Sequence, residues 1–551
     1  MSSELKNEPH AAVSELNPSD PMYADRKALR MNWYDFPRED PTRPEVYTYT
    51  DAMSYDPGAN VAFHVSTTAD TYSIAVVRDG AQPETVHESA SLKGNFHRTP
   101  KDAYKSGCGW PAAHVWRIPT GMRSGFYKVI SRCSQPKGAV FTQHHFFIVR
   151  PTPATRRSKI LMLLPTGTWT AYNDWGGANH YEGVDGPDGN NFSPSLSLQR
   201  PWSRGMVWLP EGAPRIGTFP KPLPGDAPRY QVKEWAYANA FSRYYAAAGW
   251  AQYDRHFALW AEQEGIELDM ITQTDLHYRP QLLDGYSCVV IVGHDEYWSR
   301  RMRDNLDSYV ERGGHLARFG GNFIWQTRIE DEGRSQICYK YRARDEDPVR
   351  NTVDKALLTS AWEDKLVNRP PATTVGVNGY RGVYVGWGGF MPRASGGFTV
   401  YRPSHWAFTG TDLYYGDVFG AEARIFAFEV DGLDYTFRHG LPFPTHEDGA
   451  PNNVEILAMS VATVAEEAHG AEGADYFVLD GDLDFKTLVL DGTVTPEGKE
   501  RHRYGSGMVV SMPKGKGEVF TAATCEWVMG LKHRDFFTEQ ITRNVLLRFS
   551  Q

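Results

Sequence analysis

The sequence predicts an all-β sandwich followed by an α/β domain, and three observations point there. Between residues 60 and 150, short alternating runs are separated by Gly, Pro and Asn turns. From Lys159 onward, continuous apolar runs alternate with helical stretches, as in a mostly parallel sheet with crossover helices. Beyond Glu330 the text becomes turn-rich and β-like, and the α/β pattern resumes after about residue 470.

Residues 1–56 are polar and proline-punctuated (NPSDP, PREDPTRPE) and read as an extended arm. From Pro57 the strands are NVAFHVS (60–66), TYSIAVVRDG (71–80), HVWRIP (114–119), GFYKVI (125–130) and HHFFIVR (144–150). Short strands closed by turns suit a sandwich over 57–152, immunoglobulin-like in size. PTPATRR (151–157) then reads as a linker. ILMLLP (160–165) is a strand apolar on both faces, ending in a Pro-Thr-Gly turn. A long helix is expected over 233–265, with Trp235, Phe241, Tyr245 and Trp260 on its apolar positions and Gly265 at its end. Strands over 269–274, 288–292 and 315–320 follow, with a helix over 300–312 between the last two. After a β-rich insertion at 331–470, strands at 508–512 and 517–524 and a helix over 537–549 complete the α/β domain (157–330 and 471–551).

Composition narrows the function classes. At 551 residues the chain exceeds a single core. The net charge of −9 removes the electrostatic case for nucleic acid. No apolar run approaches the roughly 20 residues that span a bilayer, and MSSELKNEPH has no signal-like segment, so a cytoplasmic protein is expected. The five cysteines are scattered without CxxC spacing, which argues against thiolate zinc and fits a reducing compartment.

Chemistry-bearing residues collect at strand ends, where α/β sheets place their sites. Strand 288–292 runs through Gly293 into His294, Asp295 and Glu296, which act either as a site or, with Ser299, as a helix cap. PTGTWTAYNDWGG follows the first strand and carries Tyr172 and Asn173, with Tyr181 close behind. Gly320-Gly321-Asn322 and Asp275-Leu276-His277 lie at two further strand ends. No GxSxG elbow, HExxH or phosphate-binding loop is present, and Cys288 starts its strand and should be buried and inert. Carboxylate, imidazole and phenol groups at converging strand ends suit a hard metal ion, and only a strongly Lewis-acidic one would hold a phenolate near neutrality.

PTGTWTAYNDWGG (165–177), TDLH (274–277), LLDGYSCVVIVGHDEYWS (282–299), GGHLARFGGNFIW (313–325) and GKGEVFTAATCEW (515–527) resemble the large (beta) subunit of N,N-dimethylformamidase and its relatives. The resemblance covers most of 57–551 and implies a class I glutamine-amidotransferase-like α/β domain. It also implies a mononuclear Fe(III) held by two tyrosinates and one glutamate beside a histidine, hydrolysing a small amide. Carried over, Glu296 is the ligating carboxylate, Tyr172 the first tyrosine and His294 the histidine. Phe192 stands where the second tyrosine is expected, ahead of Arg200-Pro201-Trp202, and Tyr181 is its nearest replacement.

The resulting expectation is an iron-dependent amidohydrolase acting on a dimethylformamide-like substrate. Tyr172, Tyr181 and Glu296 hold the metal, His294 moves protons, and Asn173 or the Gly320–Gly321 backbone steadies the oxyanion. A homo-oligomer is expected, with a small partner subunit as in some relatives. The rival from another class is a non-catalytic ligand- or carbohydrate-binding protein using the sandwich and its aromatic loops. A metal-free amidotransferase-like hydrolase is disfavoured because no cysteine sits on a strand-to-helix elbow.

Overall fold

A computed structural model describes residues 35–183, 192–215, 231–385, 396–463 and 480–551. Most of the expected arm, residues 1–34, and the expected boundary near residue 470 lie outside the described residues. The N-terminal unit packs a three-stranded sheet (Val46–Thr50, Asn60–Thr67, Ala112–Arg117) against a six-stranded one built around the Gly125–Ser134/Val140–Val149 hairpin. Between them lies a core that includes Tyr47, Phe63, Ile74, Val129 and Phe147. Residues 46–50, read as the end of the arm, instead form the first strand of this unit. All five of its residues are buried. The polar edge of this strand is satisfied across the sandwich, with the Thr48 N–H donating to Gln143 Oε1 at 3.2 Å and the Thr50 N–H to His145 Nε2 at 3.1 Å.

The second unit is organised by a nine-stranded sheet. In chain order its strands are β1 (Ile160–Leu164), β2 (Asp269–Thr272), β3 (Cys288–His294), β4 (His315–Gly321), β5 (Phe398–Val400), β6 (Val418–Phe419), β7 (Glu455–Thr463), β8 (Tyr504–Lys514) and β9 (Gly517–Ala522). Their spatial order is β2-β1-β3-β4-β9-β8-β7-β5-β6. The first five run parallel and the rest antiparallel, so the sheet is only half the expected parallel type. β5, β6 and β7 come from the segment read as an insertion, and here they extend the same sheet. The period-2 rule explains why β1 and β3 are apolar throughout. Ile160, Met162, Leu164, Val290 and Val292 face one core, and Leu161, Leu163, Val289 and Ile291 face another on the opposite side of the sheet.

Two local expectations are corrected. The Pro-Thr-Gly turn after β1 is already helix, Thr166–Tyr172, and every residue of it is buried. The helix expected over 233–265 is broken into Gln231–Ala238 and Arg255–Gln263, with a π-turn, Trp250–Asp254, before the second piece. The break spans residues 239–249 and ends at Gly249, whose φ of 113° no L-residue adopts comfortably. A Cβ there would lie 2.6 Å from the Met206 carbonyl oxygen. The closing helix is Phe536–Phe549.

Candidate active site

Three pieces of chain meet beyond the carboxyl ends of β1 and β3. At Gly293 (φ 70°) a Cβ would sit 2.5 Å from that of Tyr253, so only glycine lets β3 pass the π-turn. The chain then turns under Thr168, whose Oγ1 accepts the Glu296 N–H at 2.8 Å. Ser299 caps the helix Arg300–Glu311, accepting the Met302 N–H at 3.1 Å. The cap and the site thus use different residues of one segment. Tyr172 is the last residue of its helix. Beyond it the chain folds back, with the His180 N–H donating to the Ala171 carbonyl at 3.0 Å and the Tyr181 N–H to Asn179 Oδ1 at 2.8 Å.

The consequence is that both phenols reach one carboxylate oxygen. Tyr181 and Tyr172 donate to Glu296 Oε2 at 2.7 and 3.1 Å, and Trp325 Nε1 holds the other oxygen, Oε1, at 2.6 Å. Tyr297 lies 2.8 Å from the Tyr181 hydroxyl and donates to it. His294 Nδ1 is 2.7 Å from the Ala247 carbonyl, in the segment freed by the helix break, so Nδ1 carries a proton. Nε2 therefore faces two carboxylates, 2.7 Å from Glu429 Oε2 and 3.3 Å from Glu296 Oε2. Asn322 Nδ2 completes the ring, 2.7 Å from Glu429 Oε2 and 3.1 Å from His294 Nε2.

Burial dominates the electrostatics. Burial, reinforced by the Glu296 charge, pushes the Tyr172 and Tyr181 phenols well above their usual range. For His294 burial acts downward, yet Glu429 and Glu296 outweigh it and hold the imidazole well above its ordinary value. Burial raises Glu429, while His294 and neighbouring donors keep Glu296 low against the same desolvation. The Lys340 ammonium sits 3.4 Å over the Tyr181 ring centroid and 5.1 Å over that of Trp325, a cation placed beside the phenols.

The structure thus brings Tyr172, Tyr181, His294 and Glu296 together and leaves other expected residues out. Asn173, expected to steady an oxyanion, is instead committed to the fold. Its Oδ1 accepts from the Trp175 N–H, the Ser203 N–H and the Ser203 hydroxyl, and its Nδ2 donates to the Pro201 carbonyl. Gly320 and Gly321 lie inside β4, where added Cβ atoms would meet the Gly293 and Glu429 carbonyls at 2.7 and 2.5 Å, so they serve close packing. Asp295, read as capping or outward-facing, is fully buried against Arg318 at 2.6 Å. His277 contacts the Ser299 hydroxyl at 2.8 Å, and Asp275 caps its own helix and pairs with Arg150. Phe192 lies under Arg342, its ring centroid 4.1 Å from the guanidinium carbon.

Glu429, Trp325, Tyr297 and Lys340 were not singled out from the sequence, and Asn322 was noted only as the end of the Gly320-Gly321-Asn322 turn. For Glu429 a signal existed: Phe428–Gly432 is a wholly buried strand carrying two carboxylates, Glu429 and Asp431, at alternate positions. His294, Glu429 and Cys525 also place one ligand-type atom each within 4.8 Å of one another. All five cysteines are buried with free thiols, Cys288 among them.

The family model described as N,N-dimethylformamidase beta subunit-like, C-terminal, matches residues 73–541. The chain belongs to this family. Its matched span takes in the N-terminal unit from residue 73 onward, most of the second unit, and every residue of the Tyr172–Tyr181–Glu296–His294–Glu429 cluster. Among curated proteins no sequence matches this member of the dimethylformamidase-like family. Among solved structures, the sporulation control protein Spo0M from Bacillus subtilis aligns over 20% of this chain and 51% of its own, at 15% identity and a TM-score of 0.14. No helix among the described residues is long and apolar enough to cross a membrane.

Proposed function

We propose that this chain is an iron-dependent amidohydrolase that cleaves the C–N bond of a small N-substituted amide, as the family's name suggests. The observation that supports this reading most directly is the convergence of two buried phenols on a single oxygen of Glu296. Three oxygen donors at one point make a hard set, and phenols pushed this far up need a strongly Lewis-acidic cation to ionise. The residues fit a ferric ion held by Tyr172, Tyr181 and Glu296. Such an ion supplies Lewis acidity, both for an amide carbonyl and for a water.

The chain's own groups do the rest. Trp325 fixes Glu296 Oε1 and so orients Oε2 toward the phenols. Lys340 offsets the negative charge that Tyr181 acquires on ionising. The Ala247 carbonyl keeps a proton on Nδ1, so Nε2 is the nitrogen that exchanges protons; once Nε2 is free of its proton, the His294–Glu429 pair can take one from the attacking water and return it to the leaving amine. Asn322 Nδ2 donates to Glu429 Oε2 and lies 3.1 Å from His294 Nε2, which holds their spacing. It is an amide that touches the pair, whereas Asn173 is held in the fold by Pro201 and Ser203. Within this reading the two-sheet unit is immunoglobulin-like and the parallel half of the second unit glutamine-amidotransferase-like. The family's description as beta subunit-like favours assembly with a second kind of subunit.

Metal analysis with a visible spectrum tests the proposal. Ferric tyrosinate gives a charge-transfer band, and iron-free, colourless protein that is correctly folded overturns the reading. Tyr181→Phe should lose most of that band and weaken iron retention. Unchanged colour and metal content would remove Tyr181 from the ligand set.

A further inference from the structure

The sandwich carries a second imidazole cluster that the site above does not use. His87 lies on the strand Glu84–Glu88, the last strand of the six-stranded sheet, and His114 on Ala112–Arg117, the last of the three-stranded sheet. The two strands belong to different sheets, yet the Nε2 atoms of the two rings are 3.3 Å apart. The ring centroids are 5.6 Å apart and the planes 10° from parallel. The nitrogen separation falls short of the centroid separation by the two ring radii, so the nitrogens face each other head to head. Each ring is backed by an aromatic: His87 by Trp116 at 5.0 Å and 20°, and His114 by Phe63 at 5.8 Å and 20°.

Between two neutral imidazoles in this arrangement one nitrogen must carry the proton and the other accept it. A cation that takes two lone pairs can replace that proton. Tetrahedral zinc with Zn–N bonds of about 2.0–2.1 Å sets neighbouring ligand nitrogens about 3.3 Å apart. The nitrogens already stand at that separation, and the rings need only tilt until their lone pairs meet off the line joining them. Both imidazoles are half-buried, which leaves one side open for water to complete the coordination. Burial holds both rings below their usual pKa, and for His87 the His114 charge adds to this, so they are neutral, as ligands must be.

We infer that His87 and His114 form a binding site for one borderline divalent ion, zinc being the best fit, that clasps the open side of the sandwich. Imidazole nitrogen suits zinc, copper or nickel, whereas the oxygen set around Glu296 suits a harder ion, so the two sites select different metals.

The test uses the iron-loaded full chain and zinc chloride as the probe. Equilibrium dialysis should find one zinc equivalent that His87→Gln and His114→Gln each lose, with iron content unchanged. Glu296→Ala should keep this zinc. In the unsubstituted protein, zinc should protect both imidazoles from diethyl pyrocarbonate, read on their peptides by mass spectrometry, which keeps the test independent of how the variants fold. Equal zinc uptake by all forms, no uptake by any, or modification of both histidines at the same rate with and without zinc would each overturn the inference and leave a proton-bridged pair.

Discussion

Replacing Arg318 with methionine should be among the most damaging single changes outside the ligand set. Its guanidinium donates through Nε and Nη2 to both oxygens of Asp295, at 2.9 and 2.6 Å, and lies 2.8 Å from Asp431 through Nη1. All three side chains are fully buried. Asp295 adjoins Glu296, and Asp431 shares a strand with Glu429 while accepting the Asn322 N–H at 2.7 Å. One cation therefore ties together the segments that carry Glu296, Asn322 and Glu429. Removing one partner of a buried pair costs about 3–5 kcal/mol because the remaining charge stays desolvated, and here two carboxylates are left. Arg318→Met should thus shift the urea midpoint by about 3–5 kcal/mol of stability. The pH dependence gives a second reading. Burial already raises the Asp431 carboxyl, and loss of the guanidinium removes its main opposing influence. A carboxyl whose folded pKa lies above its unfolded value near 3.9 contributes stability at low pH that is lost as pH rises. The deficit relative to the unsubstituted protein should therefore narrow as pH falls toward about 4. A loss below about 1 kcal/mol, or a deficit that widens on acidification, would refute the argument that this ion triad carries the site.

Three further outcomes are expected. Asn173→Ala leaves the Trp175 and Ser203 donors without their acceptor and should cost about 1–3 kcal/mol in thermal or urea unfolding, while the folded fraction keeps its turnover. If turnover per folded molecule collapses instead, Asn173 has the catalytic role the sequence suggested. In metal-free protein, His294 is held above its usual value near 6.5 by Glu429 and Glu296, so its contribution is complete below about pH 6.5 and lost as pH rises through the folded value. His294→Gln should flatten the fall in melting midpoint as pH rises above about 6.5, and an unaltered slope would contradict the coupling. Gly321→Ala places a Cβ 2.5 Å from the Glu429 carbonyl oxygen and 2.9 Å from the Cys525 nitrogen, both backbone atoms that cannot swing aside. It should lower stability and disturb the His294–Glu429 contact together, seen as a shifted His294 resonance.

Several features were legible because they are local. The five-residue apolar run of β1 and the Gly293 turn mark strand ends whatever the rest of the chain does. Tyr181 is nominated through the resemblance, as the tyrosine nearest to Phe192, and its hydroxyl stands beside Glu296. The failures are equally specific. The 233–265 stretch has helical periodicity throughout, yet the chain leaves the helix over 239–249, where Gly249 passes close to Met206, and that break presents the Ala247 carbonyl to His294. Asn173 looked exposed to substrate because nothing local shows that Ser203 and Pro201 return to it from about 30 residues away.

The sequence by itself determined which segments could be strands, where those strands end, and that phenol, carboxylate and imidazole groups stand at those ends. Periodicity and turn chemistry act over a few residues, and that much needs no partner. Tertiary structure alone decided that Glu429, 135 positions beyond His294, faces the same imidazole nitrogen as Glu296, and that Asp295 turns inward to Arg318 rather than outward as a cap. The physical reason is desolvation: a buried charge must find its partner wherever the fold places one. Glu429 and Asp431 reach those partners on Phe428–Gly432, a strand that pairs with Asn378–Val385 outside the nine-stranded sheet.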